Sequence, residues 1–363
     1  MNSSTSHLTS DPSVLRIDAA RLTDFCIRAL TTVGMTEMDA RITASILVRT
    51  DMRGISTHGT VSLRRYVHLM RDGGMNPRAV PQIIAEGPAW AQMDAHQAVG
   101  MVAGHAGMTV AITKAKMSGI GFVGVRRSNH FGAASAYSLM ALDHEMIGVA
   151  MSNTDAVMNI PGGRGAVIGN NPLSYAVPAR TYPAMVLDIA MSTVAGGKIA
   201  SLKQQGKPVP LGWLTDCDGL PTTDPSVFPV DGALTPVGGQ KGYGLALLVE
   251  TLAGVLTGAG VTTDIISWAK DSHAMCNEGH AFLAIDVKAM MPLETFYGWI
   301  DELIGRMKTA PKAKGAERTY VPGEMEFESE QVARQRGVAL TEMAVNNLRG
   351  LADDLGVRAS LPF

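Results

Sequence analysis

One histidine of this chain lies where enzymes of the α/β class bind their ligands. His130 belongs to the segment 128–132, which follows an apolar run at 121–125 typical of a buried strand and precedes a helical pattern at 133–140. A short turn from strand to helix carries its side chains to the carboxyl edge of a sheet, where open α/β sheets bind ligands. Because imidazole titrates near neutrality, His130 is a candidate acid or base. The alternative is a core histidine that a backbone carbonyl satisfies.

A second candidate is His58, in the segment 51–59, at the junction of two predicted helices. Thr57 precedes it and Gly59 follows it, so a hydroxyl is available to orient the ring and the backbone is free to turn. The alternative is a histidine that caps a helix or fills a polar niche, which is the more common role of a lone histidine.

A third candidate, Asp188, comes at the end of an apolar strand pattern at 183–189. An unpaired charge is costly to bury, so this carboxylate needs a partner. It could orient a histidine or hold the ribose of a cofactor. The alternatives are a helix N-cap and a salt bridge.

A glycine-rich segment at 236–244, which contains Lys241, comes directly before a predicted helix at 242–256. Backbone N–H groups at the start of a helix favour an anion, and a lysine adds a point charge. The spacing of a Walker A loop is absent, and the Gly-x-Gly-x-x-Gly pattern at 119–124 leads into a strand instead of leaving one. The sequence therefore does not support an ordinary Rossmann dinucleotide site.

The elements that must position these residues fall into three parts. Helical patterns occupy the first 75 residues, at 18–31, from 36 onward and at 60–72. The middle alternates strands at 82–85, 90–94, 122–125, 147–151, 183–189 and 281–287 with helices at 99–118, 133–140, 192–204 and 242–256, and helices return at 293–307, 326–336 and 340–355. This order predicts an α/β fold with a largely parallel or mixed sheet, and helical ends that pack together. The segment 207–231 is predicted to be an ordered surface loop.

Composition excludes several classes of function. The chain has 363 residues, 46% of them hydrophobic, and a net charge of -2, so it has a sizeable core and no electrostatic footprint for nucleic acid. Its three cysteines, Cys26, Cys217 and Cys276, have no metal-ligand spacing and suit a reducing compartment, so no metal site is expected. Residues 1–13 form a polar tail without a signal peptide, and the apolar helix pattern at 245–256 is too short for a bilayer. We expect a cytoplasmic protein that does not bind membranes.

Six segments together resemble the malate/L-lactate dehydrogenase family, which is distinct from the Rossmann-type lactate and malate dehydrogenases. In chain order they are 53–59, 128–132, 169–172, 187–190, 239–244 and 322–324. The family includes ureidoglycolate and sulfolactate dehydrogenases, diketogulonate reductase and piperideine-2-carboxylate reductases. The likeness extends over nearly the whole chain.

The resemblance implies an L-sulfolactate dehydrogenase-like fold, a mixed sheet with flanking helices that binds a nicotinamide cofactor without a Rossmann site. It implies a helical domain for substrate binding and dimerisation at 14–120 and 290–363, a cofactor domain at 121–289, and a homodimer. The implied activity is hydride transfer between NAD or NADP and a 2-hydroxy or 2-keto acid. The alternatives are reduction of a cyclic imine and, third, a non-catalytic cofactor-binding relative.

The resemblance also assigns roles to individual residues. His58 matches a proton donor of the reductases, with Thr57 supplying a hydroxyl, and His130 matches a proton acceptor of the ureidoglycolate enzymes. Asp188 matches a relay partner of the histidine that also contacts the cofactor. The remaining implied cofactor contacts, besides His130, are Thr154, Ile189, Ala190, Lys241, Gly242, Gly323 and Glu324.

The chain departs from the family pattern at the group that binds the substrate carboxylate. Many members carry an arginine four residues after the first histidine, where this chain has Ser62. Arg53 or Arg65 could replace it, with Thr154 as a further substrate contact.

Overall fold

The computed structural model describes residues 15–363, and the predicted polar tail at 1–13 lies outside this range. These residues form twelve strands: β1 (Arg16–Ile17), β2 (Gln82–Gly87), β3 (Trp90–Asp94), β4 (Ile120–Ser128), β5 (Met146–Ser152), β6 (Leu173–Val177), β7 (Met185–Ile189), β8 (Leu214–Thr215), β9 (Pro221–Thr222), β10 (Ala233–Leu234), β11 (Glu278–Asp286) and β12 (Val338–Ala339).

The same residues form eleven α-helices: α1 (Ala19–Thr32), α2 (Glu37–Met52), α3 (Leu63–Asp72), α4 (Gly100–Ser118), α5 (Ser135–Ser138), α6 (Gly196–Gln204), α7 (Gln240–Val249), α8 (Val287–Met290), α9 (Leu293–Lys308), α10 (Glu324–Arg336) and α11 (Glu342–Leu355). A π-helical turn, Glu250–Val255, continues α7. Short 3₁₀ turns occur at Thr60–Ser62, Leu139–His144, Pro225–Val227, Thr262–Asp264 and Arg358–Ser360.

A seven-stranded mixed sheet is the centre of the fold, with the strand order β2-β3-β4-β11-β5-β6-β7. Only β3 and β4 run parallel, and every other neighbouring pair is antiparallel. The predicted mixed sheet is therefore confirmed, whereas a largely parallel sheet is wrong. Strand β6 was not predicted from the sequence. Strand β7 pairs antiparallel to β6 at the edge of the sheet.

Helix α4 packs against this sheet at close range. Its apolar side chains share a core with β4 and β11, including Val123, Val125 and Phe282. A Cβ at Gly121 would lie 2.0 Å from the carbonyl oxygen of Ala111, so the glycine lets the helix backbone approach the strand.

The helices at the two ends of the chain share a second core. Leu22 and Phe25 of α1 and Leu348 and Leu351 of α11 are among its buried side chains. Strands β1 and β12 pair antiparallel and join the two ends directly. The predicted packing of the terminal helices is thereby confirmed, while the division into 14–120 with 290–363 and 121–289 stays a prediction.

Two helices differ from their predicted extents. The pattern at 133–140 forms only the short α5, which continues as a 3₁₀ turn, and the pattern at 192–204 becomes helical only from Gly196. The predicted loop at 207–231 contains β8 and β9, which form a small antiparallel sheet with β10. Local apolar spacing does not reveal such two-residue strands.

Candidate active site

The loop that carries His58 is held against the end of α2 by Asp51. The carboxylate oxygen Oδ2 of Asp51 accepts hydrogen bonds from the Thr60 backbone N–H at 2.8 Å and from its hydroxyl at 2.6 Å. A Cβ at Gly59 would lie 1.9 Å from Oδ1 of Asp51, so a larger residue after His58 would displace the carboxylate that holds Thr60. Burial raises the pKa of Asp51 to about 7.

The turn that carries His130 is held from the other side. The Asn129 amide donates to the carbonyl oxygens of Ala98 at 3.0 Å and Gln97 at 3.2 Å. A Cβ at Gly100 would lie 2.2 Å from the carbonyl oxygen of Asn129 and 2.3 Å from that of His130. Helix α4 can therefore begin against this turn only because its first residue is glycine.

These two segments bring the imidazoles of His58 and His130 together. Their ring centroids lie 5.8 Å apart, and the ring planes differ by 26°. Nδ1 of His58 is 2.8 Å from the Thr57 hydroxyl, and Nδ1 of His130 is 2.6 Å from the Tyr66 hydroxyl. Within residues 15–363, Nε2 of each ring makes no hydrogen bond. Each ring is thus oriented through one nitrogen and can exchange a proton through the other.

An aromatic wall supports His130. The Trp268 ring stacks on it at 4.3 Å between centroids, and Tyr66 lies 5.5 Å from Trp268. Arg65 fixes this tryptophan, because Nε and Nη2 both donate to the Trp268 carbonyl oxygen, at 2.9 and 2.7 Å. Neither Tyr66 nor Trp268 was predicted from the sequence, because His58 lies in a loop and Tyr66 on the following helix, so no helical spacing relates the two.

His280 has a positioning role behind the turn. Its Nε2 is 2.7 Å from the Ser128 hydroxyl and its Nδ1 is 2.9 Å from the Ser152 hydroxyl, so both nitrogens are engaged. Its ring stacks on Phe131 at 4.5 Å. Burial lowers the pKa of His280 to about 3, which keeps it neutral.

Asp188 lies on β7 beside both histidine loops. Its Oδ2 accepts a hydrogen bond of 2.7 Å from the backbone N–H of Ser135, the first residue of α5. This hydrogen bond joins Asp188 to the helix that follows His130. Asp188 and His58 also influence each other electrostatically, because the charge of Asp188 opposes the lowering of the His58 pKa by burial and the charge of His58 opposes the raising of the Asp188 pKa by burial.

Burial is the main influence on the charge state of all three groups. It lowers the pKa of His58, with Asp188 opposing, and it raises the pKa of Asp188. The pKa of His130 lies well below its usual value because of burial and, after it, the nearby His58 and His280. Both candidate histidines are consequently neutral at pH 7 and can act as bases.

The three predicted substrate-binding residues lie in different surroundings. Arg53 is buried, donates through Nη1 to Glu330 at 3.3 Å and lies over the Phe327 ring at 4.6 Å, while its buried Nε has no hydrogen-bond partner among the described residues. Arg65 keeps Nη1 free of hydrogen bonds within residues 15–363. Thr154 is tied to the loop before β6; its N–H donates to Asn171 and its hydroxyl to Asn170, each at 3.1 Å.

Several predicted cofactor residues gather past the end of β7. Ile189 ends this strand and Ala190 follows it, and Val237, in the glycine-rich loop, donates its N–H to the Met191 carbonyl oxygen at 2.8 Å. A Cβ at Gly242 would lie 2.3 Å from the Val237 carbonyl oxygen. Lys241 is exposed and forms no ion pair with any described residue. Its ammonium group fits the phosphates of a dinucleotide.

The other two predicted cofactor residues lie at the start of β7. Gly323 has a φ of +91°, and a Cβ there would lie 2.9 Å from the Val186 carbonyl oxygen. Glu324 begins α10 and forms an ion pair with Lys308. Its carboxylate is thus engaged, and both residues run along the outer edge of β7.

The described residues include no group of three or more His, Cys, Asp or Glu side chains arranged to hold a metal ion. Nor does any helix between residues 15 and 363 have the length and apolarity needed to cross a membrane.

Comparison with known proteins connects this geometry to a family. The chain is similar to the malate dehydrogenase of Pyrococcus horikoshii, with 35% identity over 354 residues that cover 96% of this chain and 97% of that protein. It is also similar to the Δ1-pyrroline-2-carboxylate reductase of Pseudomonas fluorescens, with 29% identity over 324 residues, 89% of this chain and 95% of the reductase.

A solved structure and a family model agree with these relatives. The structure of the sulfolactate dehydrogenase from Methanocaldococcus jannaschii superposes with a TM-score of 0.88 at 34% identity, over 94% of this chain and 98% of that one. The family model described as malate/L-lactate dehydrogenase matches residues 17–349. The resemblance in the sequence motifs is therefore confirmed, and the chain belongs to the malate/L-lactate dehydrogenase family.

Proposed function

We propose that this chain is a nicotinamide-dependent oxidoreductase that interconverts a 2-hydroxy acid and the corresponding 2-keto acid. The observation that carries the proposal is the pair His58 and His130, each held through Nδ1 by a hydroxyl and each with Nε2 free of hydrogen bonds within residues 15–363. Family membership supports it, because the matched model describes malate/L-lactate dehydrogenases.

The residues of the chain handle the proton. When bound, the nicotinamide supplies or accepts the hydride. One imidazole takes the hydroxyl proton in the oxidative direction and returns it in reduction, while the other polarises the substrate oxygen. The charge of Asp188 favours the charged form of His58. General acid–base help of this kind is typically worth about 10²–10⁴ in rate.

The substrate carboxylate is bound by Arg65 in this proposal. Two of its nitrogens hold the Trp268 carbonyl oxygen, which fixes the guanidinium beside the aromatic wall and leaves Nη1 for an anion. Arg53 is a weaker candidate because Glu330 and Phe327 enclose it. Thr154 is proposed to contact both substrate and cofactor.

The cofactor, NAD or NADP, is proposed to run past the end of β7. Lys241 would hold a phosphate, while Ile189, Ala190 and Gly242 would contact the cofactor through backbone and apolar atoms. Asp188 and His130 would lie beside the nicotinamide. Gly323 and Glu324 would contact it along the outer edge of the strand.

We also propose that the protein is a cytoplasmic homodimer. Helix α7 and its π-helical continuation expose several large apolar side chains, namely Leu245, Leu247, Leu248, Val255 and Leu256. Exposed apolar clusters of this kind mark interaction surfaces. Cys26, Cys217 and Cys276 are all free thiols, as expected in a reducing compartment. Light scattering coupled to size-exclusion chromatography tests the dimer.

The second candidate is reduction of a cyclic imine carboxylate. Glu278 favours it, because this acid lies opposite Ser128, two residues before His130, and a protonated imine carries a positive charge. The same histidines would then deliver a proton to nitrogen instead of oxygen.

The test is a panel of 2-keto acids and cyclic imines with NADH and NADPH, followed by the absorbance of the reduced nicotinamide. Turnover of at least one compound supports the proposal and identifies the cofactor. Cofactor-dependent quenching of the four tryptophans without turnover of any compound would contradict it and indicate a non-catalytic binding protein.

A further inference from the structure

A buried carboxyl group without a partner lies directly behind the histidine turn. Glu278 begins β11 opposite Ser128, at a bulge in the pairing with β4. Its side chain is 1% exposed, and neither carboxylate oxygen has a hydrogen-bond partner among residues 15–363. Buried polar groups are nearly always hydrogen-bonded, so this exception needs an explanation.

The other buried acids of the described chain show how unusual Glu278 is. Each of them is paired: Asp51 with Thr60, Asp94 with Arg126, Glu250 with Asn153 and Asn171, and Glu330 with Arg53 and Arg334. The fold therefore satisfies carboxylates at structural positions and leaves Glu278 open.

The surroundings of Glu278 connect it to the reacting groups. Burial and, after it, the charge of Glu278 raise the pKa of the Tyr66 hydroxyl, which is the group hydrogen-bonded to His130. The same two causes raise the pKa of the Cys276 thiol. The strand pairing agrees, because Glu278 lies opposite Ser128, two residues before His130.

A second acid, Asp155, lies close to Glu278, because Asn153, two residues before it, exchanges two hydrogen bonds with Gly279, the neighbour of Glu278. Asp155 follows β5, and its charge, after burial, holds the pKa of Glu278 well above its usual value. The nearest basic groups are directed elsewhere: Arg65 toward the Trp268 carbonyl oxygen, and Lys270 toward Asp155. Lys270 therefore offsets the charge of Asp155, whereas Glu278 has no counter-ion among the described residues, and a buried carboxyl in this state stays neutral until a cation binds.

We propose that Glu278, together with Asp155, forms a subsite that receives a cationic nitrogen of the substrate. This inference rests on the proposed function and names its substrate class. The nitrogen has two chemical sources, an ammonium substituent remote from the reacting carbon or the protonated imine of a cyclic substrate. Burial and, after it, the charges of Glu278 and Asp155 raise the pKa of the Cys276 thiol, and the charge of Arg65 lowers it. The proposed anion-binding and cation-binding groups are therefore neighbours, as a substrate with both charges requires.

The experiment measures kcat/KM for three matched substrates with the full-length enzyme. They are a straight-chain 2-oxo acid with a methyl terminus, the same chain ending in a dimethylammonium group, which cannot cyclise, and Δ1-piperideine-2-carboxylate. The wild type is expected to prefer one cationic compound over the methyl-terminated one, and which of the two it prefers identifies the source of the nitrogen.

The variants Glu278→Gln and Glu278→Leu test the residue itself. In each variant, the ratio of kcat/KM for the cationic compound to kcat/KM for the neutral compound is expected to fall by about 10- to 100-fold, because one charge-assisted hydrogen bond is lost. The control is Asp286→Asn, at the opposite end of β11, which is expected to leave the ratio unchanged. A wild-type preference for the neutral compound, or a ratio unchanged by both Glu278 variants, would overturn the proposal.

Thermal unfolding provides a readout independent of activity. Removing an unpaired buried carboxyl is expected to raise the Tm of Glu278→Leu by about 2 °C, whereas a clear fall in Tm would show that Glu278 has a structural partner and would overturn the proposal. Failure of the proposed function looks different, since then no compound of any charge oxidises NADH or NADPH.

Discussion

The Tyr66 hydroxyl lies 2.6 Å from Nδ1 of His130, and this contact joins helix α3 to the turn after β4. Thr57 makes the equivalent contact to Nδ1 of His58, at 2.8 Å. Each candidate acid–base group is therefore oriented through Nδ1 by a hydroxyl, His58 by its neighbour in the chain and His130 by a residue 64 positions away. A ring fixed through one nitrogen presents the other in a constant direction, which is what proton transfer to a bound substrate requires.

Replacement of Tyr66 by phenylalanine tests this orientation. We expect kcat to fall by about 3- to 10-fold, the value of one hydrogen bond, with a smaller change in KM. Steady-state kinetics with the best substrate of the panel measures both constants. Tyr182→Phe, which removes a hydroxyl next to α9, is the control, and equal effects of the two substitutions would contradict the assigned role.

The pH profile tests the charge state of the histidines. Because burial lowers the pKa of both imidazoles, their basic form predominates at neutral pH. The kcat/KM for oxidation is expected to be constant above pH 6.5 and to fall as pH decreases below it, and the kcat/KM for reduction is expected to rise in the same range. In Asp188→Asn the pKa of His58 loses the charge that raises it, so the acid limb should move to lower pH. A limb that moves to higher pH or does not move would contradict the pairing of Asp188 with His58.

The close approach of Gly100 to the histidine turn gives a structural prediction. Gly100→Ala would place a Cβ 2.2 Å from the Asn129 carbonyl oxygen, so the turn must shift. We expect a loss of about 1–3 kcal/mol in the free energy of unfolding, together with a fall in kcat. Urea unfolding and steady-state assays measure the two effects.

Gly298→Ala on α9 is the matched control, because a Cβ there meets nothing within 4 Å. Alanine is the better helix former, so this variant is expected to gain about 0.5–1 kcal/mol and to retain its activity. If Gly100→Ala behaved like Gly298→Ala, the turn would not depend on the glycine.

Arg65 is expected to determine the affinity for the substrate carboxylate. Arg65→Lys keeps the charge but loses the planar guanidinium. Only a guanidinium can donate two hydrogen bonds to the Trp268 carbonyl oxygen and still present a further N–H to an anion. We expect KM for the keto acid to rise by about tenfold, the value of one charge-assisted hydrogen bond. Arg64→Lys, whose parent arginine pairs with Asp354 on the surface, is the control, and an unchanged KM in Arg65→Lys would transfer the role to another cation.

The parts of the site that the sequence predicts are those marked by local pattern. His130 follows a strand and precedes a helix, Asp188 ends an apolar strand, and both lie where these patterns place them. Tyr66 was not predicted, because on α3 it occupies a buried position of an amphipathic helix and resembles any core aromatic. Glu278 was not predicted either, because nothing in the spacing of β11 tells whether a strand carboxylate has a partner.

The most direct test of the account is the nicotinamide absorbance assay on His58→Gln and His130→Gln, with His144→Gln at an exposed position as the control. We expect each of the first two variants to lose about 10²-fold or more in kcat and the control to keep its kcat. If both variants turned over the substrate at nearly the wild-type rate, proton transfer by this pair of histidines would be wrong.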